Sequence, residues 1–61
     1  MDEARAIIEA QKVADAEGIT MAVYFDPYAE YETDHWGWMP KQALRIFQYH
    51  ESRHTITPGG N

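Results

Sequence analysis

The first candidate chemistry in this chain is a pair of histidines four residues apart, in the run His50-Glu51-Ser52-Arg53-His54. On an α-helix, residues at this spacing lie on one face, so the two imidazoles could bind a single Zn²⁺ ion. Glu51 could then activate a metal-bound water for hydrolysis. This hydrolytic hypothesis depends on a helix over residues 50–54.

The same five residues resemble the HExxH signature of the zincin metallopeptidases, and the resemblance covers them alone. A catalytic zinc generally has three protein ligands, and residues 55–61 contain no His, Cys, Asp or Glu to supply the third. Arg53 would also place a cation beside the metal. We therefore predict a protein that is not an enzyme and has no catalytic residue, metal or other cofactor. A small metal-binding protein that uses His50 and His54 is kept as an alternative.

The second candidate is an acidic segment in the middle of the chain. Between Glu17 and Lys41 the only charged residues are carboxylates, and all of them occupy even positions. Residues two apart on a strand share a face about 6.6–6.8 Å apart, so this pattern predicts a row of like charges. Tyrosine and tryptophan, which are enriched at interface hot spots, continue the even numbering. The predicted partner-binding residues are Asp26, Tyr28, Glu30, Glu32, Asp34, Trp36 and Trp38.

A helix over residues 2–17 is the first element that must position these residues. Asp2 can cap its N-terminus, and Gly18 follows as a residue suited to the left-handed C-terminal position. Apolar residues recur at close to the three-four spacing of a half-buried helix. They are Ala4, Ile7, Ile8, Val13 and Ala14, widened by Ala6 and Ala10.

From Ile19 the apolar period changes to two, which is typical of a half-buried strand. Asp26-Pro27 is a turn pair, so we predict a hairpin with a three-residue loop over residues 26–28. Its register would pair Phe25 with Ala29 and Val23 with Tyr31 on the face towards the helix. The carboxylate row would then lie on the opposite face.

The remaining elements follow Pro40, which can open a short turn of helix through Ala43. Residues 37–44 resemble the glycine-aromatic-apolar-proline run of SH3 domains, which implies the same local turn. Residues 44–49 fit a third strand, with a helix as the alternative, and residues 55–57 could extend a sheet edge. The predicted fold class is α+β, an N-terminal helix packed on a small antiparallel sheet of about three strands. Residues 1–61 form one small domain, with 58–61 as a frayed tail.

The charge balance limits the classes of partner that this chain is expected to bind. Ten acids against five bases give a net charge of −5, and the bases are scattered, which argues against direct binding of nucleic acid or anionic membrane. No apolar stretch approaches the ~20 residues needed to span a bilayer. Acids directly after Met1 are unlike a secretory signal, so we predict a cytoplasmic protein. The expected partner is a basic surface of another protein, such as a nucleic-acid-binding complex.

In size, acidity and lack of a catalytic constellation, the chain resembles in type the small inhibitors encoded by bacteriophages, anti-CRISPR proteins among them. This resemblance implies an inhibitor that acts in the host cytoplasm and mimics DNA by occupying a nucleic-acid-binding groove. A structural or assembly subunit that forms a homodimer or larger homo-oligomer is the third hypothesis.

Overall fold

An N-terminal helix lies on a three-stranded antiparallel sheet in the computed structural model, which describes residues 1–47 and 50–59. The strand order is β2-β1-β3, with the first strand in the centre. The predicted α+β class is confirmed. In chain order the elements are helix α1 (Glu3–Glu17), strand β1 (Met21–Phe25), strand β2 (Trp36–Pro40), helix α2 (Lys41–Leu44) and strand β3 (Glu51–Ile56).

Helix α1 begins and ends as the sequence predicts. The Asp2 carboxylate accepts a hydrogen bond from the Arg5 backbone N–H at 2.8 Å. Gly18 adopts a left-handed conformation (φ 68°) and donates its N–H to the Ala14 carbonyl at 2.8 Å. A residue with a Cβ is disfavoured at such a position, so glycine suits this helix end.

The face of α1 that contacts the sheet is narrower than predicted. Ala6, Ala10 and Ala14 are fully buried at a spacing of four, and Ile7 and Val13 flank them. Ile8, which the predicted stripe included, is exposed. Alanine side chains are short, so they let the helix lie close to the strands beneath it.

The core between α1 and the sheet is completed by Met21 and Val23 of β1. In the β1–β2 register Val23 lies opposite Trp38, and Phe25 lies opposite Trp36. Directly opposed residues of antiparallel strands share a face, so both tryptophans face α1. They pack half-buried against the core.

The predicted hairpin is wrong. The chain leaves β1 at Phe25 and returns to it only at Trp36, and a 3₁₀ turn, Glu32–Asp34, occupies part of the predicted second strand. Residues 36–39 contain two tryptophans and a methionine that can pack beside β1. Residues 29–33 contain two glutamates and fewer large apolar side chains. Burial of apolar surface therefore favours pairing with the later segment.

The prediction for the segment after β2 is confirmed in part. The helical turn after Pro40 is present as α2, while the strand predicted from Leu44 is not, because Leu44 ends α2 and a turn follows. Residues 48 and 49 of that predicted strand lie outside the described residues. The third strand is β3, which includes residues 55 and 56 of the predicted edge extension. Its pairing with β1 shifts register between Val23 and Tyr24.

Residues 57–59 are attached to α1 rather than frayed. The Gln11 side-chain amide donates to the Thr57 carbonyl and to the Asp15 carboxylate, both at 2.9 Å. The same carboxylate oxygen accepts the Gly59 backbone N–H at 2.5 Å. The rest of the predicted frayed tail, residues 60–61, lies outside the described residues.

We expect the attachment of Gly59 to depend on pH. Hydrogen bonds from the Gly59 N–H and then from Gln11 lower the pKa of Asp15 below its ordinary value. A carboxyl with a lowered pKa stabilises the folded state above its ordinary pKa, and this stabilisation is lost as pH falls through the lowered value. In an NMR titration the Gly59 amide signal should follow Asp15, and Gln11→Ala should move the midpoint upward.

Gln42→Ala is the matched control, because it removes the same amide group from an exposed position of helix α2, outside these hydrogen bonds. It should leave the midpoint of Asp15 unchanged. A Gly59 amide signal that ignores the ionisation of Asp15 would contradict the assignment.

Candidate partner-binding surface

Residues 26–35 connect β1 to β2 and are called the acidic loop below. The Asp26 N–H donates to the His35 carbonyl at 2.7 Å and closes the base of the loop. The Asp26 carboxylate accepts the Tyr28 N–H at 2.9 Å, an Asx turn that fixes the first bend. Two backbone hydrogen bonds of 2.9 and 3.2 Å form the 3₁₀ turn in the second half. The loop is therefore ordered by its own hydrogen bonds.

The acidic loop presents carboxylates and tyrosine rings to solvent. Glu30, Glu32 and Asp34 are exposed, and none of them forms an ion pair with a described residue. Tyr28 is 74% exposed and Tyr31 is 62% exposed. Three negative charges and two large amphipathic rings thus share one short segment. Tyr31 was missed from the sequence, because the predicted hairpin placed it towards the helix.

Asp26 is less exposed than these groups. Its Oδ2 is 3.3 Å from Nε2 of His50, and both side chains are largely buried. The His50 ring packs on the Tyr24 ring with 4.2 Å between centroids. Burial and then the Asp26 charge raise the pKa of the Tyr24 phenol. Asp26 therefore holds the base of the loop in place and is not part of the exposed acidic surface.

Trp36 and Trp38 are also less exposed than the carboxylates of the acidic loop. Both pack against the core beneath α1, and the Trp36 ring lies 5.3 Å from the Phe25 ring. Four of the predicted residues are thus exposed on the acidic loop, and Tyr31 is exposed there as well. The resulting surface consists of Tyr28, Glu30, Tyr31, Glu32 and Asp34.

The HExxH run does not form the helix that the zinc hypothesis requires. Residues 51–56 are strand β3, and the two histidines make contacts on opposite faces of the sheet. His54 Nε2 lies 2.7 Å from the Glu3 carboxylate of α1, whereas His50 packs on Tyr24 on the other face. Among the described residues no group of three His, Asp or Glu side chains is placed to hold a metal ion.

The acidic loop is thus a surface on which exposed negative charge and exposed aromatic area coincide. Within residues 1–47 and 50–59, no helix has both the length and the apolar character required to cross a bilayer. Comparisons with protein-family models, with curated proteins and with solved structures gave no match.

Proposed function

We propose that this chain is a non-enzymatic inhibitor that places its acidic loop in the basic, nucleic-acid-binding groove of another protein. The observation that supports this most strongly is the set of three carboxylates without ion pairs beside Tyr28 and Tyr31 on one ordered loop. A surface that serves only solubility generally intersperses both signs of charge. Residues 18–40 contain no lysine or arginine.

The loop geometry suits tight association. Its internal hydrogen bonds order the backbone before binding, so less conformational entropy is lost when a partner is engaged. Unpaired carboxylates attract a basic groove over distance and raise the association rate. Tyrosine rings add contact area at low entropic cost. In such a groove the carboxylates would take the positions of nucleic-acid phosphates, as expected of a DNA mimic acting on a host nucleoprotein complex.

Charge reversal in the loop tests this proposal. The immobilised protein is used to capture partners at low and high salt, and an oligonucleotide that fills the partner's groove is added as a competitor. Glu30→Lys with Glu32→Lys should weaken capture roughly 10- to 100-fold, because each reversal replaces an attraction by a repulsion. The circular dichroism spectrum should remain that of the parent.

Glu9→Lys with Glu17→Lys is the matched control, since it changes net charge equally on α1. If this control loses as much capture as the loop variant, net charge rather than the loop is responsible. Full capture by the loop variant, or capture that the oligonucleotide does not displace, would contradict the proposal.

A further inference from the structure

A shallow cavity of about 390 Å³ lies between α2 and β3, and it is called the α2–β3 cavity below. Most of its lining side chains carry N–H or O–H groups, and none of them is a carboxylate. The lining residues are Lys41, Leu44, Arg45, Phe47, His50 and Ser52.

The charge around the α2–β3 cavity is opposite to that of the whole chain. Residues 1–40 contain nine of the ten acids, whereas residues 41–61 contain three bases and one acid. That acid, Glu51, pairs with Arg53 at 2.8 Å. Lys41 and Arg45 form no ion pair with a described residue; Lys41 Nζ has only the Thr55 hydroxyl, at 3.3 Å. Two cations are thus available to an anion.

His50 adds an unsatisfied polar atom to the cavity lining. Its Nδ1 is buried and has no hydrogen-bond partner among the described residues. The other ring nitrogen lies 3.3 Å from the carboxylate of Asp26. An ionised carboxylate only accepts hydrogen bonds, so Nε2 is the nitrogen that donates to Asp26, and Nδ1 is left without a partner. A buried polar atom without a partner is costly, and a hydrogen bond to a ligand would relieve that cost.

We propose that the α2–β3 cavity binds a phosphate group. Lys41, Arg45 and the Ser52 hydroxyl would donate to the phosphate oxygens, and Nδ1 of His50 would form a further hydrogen bond to the same group. The half-exposed Phe47 ring forms an apolar wall on which the organic part of a phosphate monoester can lie. This site is independent of the proposed function of the acidic loop.

NMR titration of the isotope-labelled protein with inorganic phosphate tests the site. Saturable shifts should appear in the amides of the cavity residues and in the His50 ring, while the His54 ring remains unchanged. Arg45→Ala should weaken binding about tenfold or more, the effect of losing a hydrogen bond to a charged group. Lys12→Ala removes an equal charge from exposed α1 and should have no effect. Arg45→Lys keeps the charge and should bind at intermediate strength.

A further titration identifies the ligand chemistry. Phenyl phosphate should bind more tightly than inorganic phosphate if the natural ligand is an organic monoester, and Phe47→Ala should remove that difference. Equal affinity for free phosphate and phenyl phosphate assigns the site to the free ion. Shifts that do not saturate, or equal losses in Arg45→Ala and Lys12→Ala, would overturn the proposal.

Discussion

Replacing Trp38 by alanine should remove most of the folding stability of this protein, whereas replacing Tyr31 by alanine should leave stability nearly unchanged. Trp38 lies opposite the fully buried Val23 and packs on the core beneath α1. Truncating a core tryptophan costs about 3–5 kcal/mol, and the half-buried position of Trp38 favours the lower part of this range. A single core in a chain of this size rarely supplies more than about 3–5 kcal/mol. The two quantities are comparable, so the variant should be largely unfolded.

Urea and thermal denaturation followed by circular dichroism measure both variants. Tyr31 is 62% exposed, so Tyr31→Ala should change the free energy of unfolding by no more than about 0.5 kcal/mol. Trp38→Phe, which keeps an aromatic ring in place, should fall between the two and remain folded. If Trp38→Ala unfolds at the same urea concentration as the parent, the tryptophan does not contribute to the core and belongs with the exposed aromatics, as the sequence pattern predicts.

Local signals in the sequence are sufficient to predict α1, because its capping residues and the spacing of its alanines lie within or next to the helix itself. The same holds for α2, since Pro40 fixes where that short helix begins. Strand pairing was not predictable in this way. Apolar and polar residues do alternate through residues 19–34. The strand that pairs with β1 is nevertheless the one that buries more apolar surface, and it lies further along the chain.

The error for the two tryptophans follows from register. A three-residue loop pairs odd positions with odd positions, so the even-numbered Trp36 and Trp38 fall on the face away from the helix. The observed pairing joins Phe25 to Trp36 and so matches odd positions with even ones. A shift of register by one residue moves every side chain of a strand to the opposite face. Both tryptophans therefore lie beneath α1.

The exposed part of the candidate surface was easier to predict than the buried part. Glu30, Glu32 and Asp34 are charged and reach solvent whether residues 29–34 form a strand or a loop. The partial burial of the Asp26 side chain depends on its contact with His50. His50 is 24 positions away in the sequence, and the pairing of β3 with β1 brings the two residues together. No local pattern in the sequence reports a contact between such distant residues.

Replacing Gly37 by alanine should destabilise the protein by about 1–3 kcal/mol, the usual cost of overpacking a filled interior. A Cβ at this buried position would lie 2.6 Å from Cζ of Tyr24 and would also overlap its hydroxyl. The φ angle of Gly37 is not positive, so the cost comes from lack of space rather than from backbone strain. Tyr24 cannot retreat freely, because the ring of His50 packs on it at 4.2 Å between centroids.

A double-mutant cycle separates this steric cost from other effects of the substitution. In a Tyr24→Ala background the Gly37→Ala substitution should cost at least about 1 kcal/mol less than in the parent, since the overlapping ring is gone. Gly18→Ala is the control, because its cost of about 1 kcal/mol arises from a left-handed backbone and should be equal in both backgrounds. Equal costs of Gly37→Ala in the two backgrounds would show that the ring is not the source.

The same substitution should also disturb the two proposed binding surfaces to different degrees. Displacement of Tyr24 moves the ring of His50, which lines the α2–β3 cavity and contacts Asp26 at the base of the acidic loop. The exposed residues of the loop are held by separate backbone hydrogen bonds around the 3₁₀ turn. In folded Gly37→Ala protein we therefore expect phosphate binding to weaken at least severalfold while partner capture by the loop is retained. Loss of both together would mean that the Asp26–His50 contact controls the conformation of the whole loop.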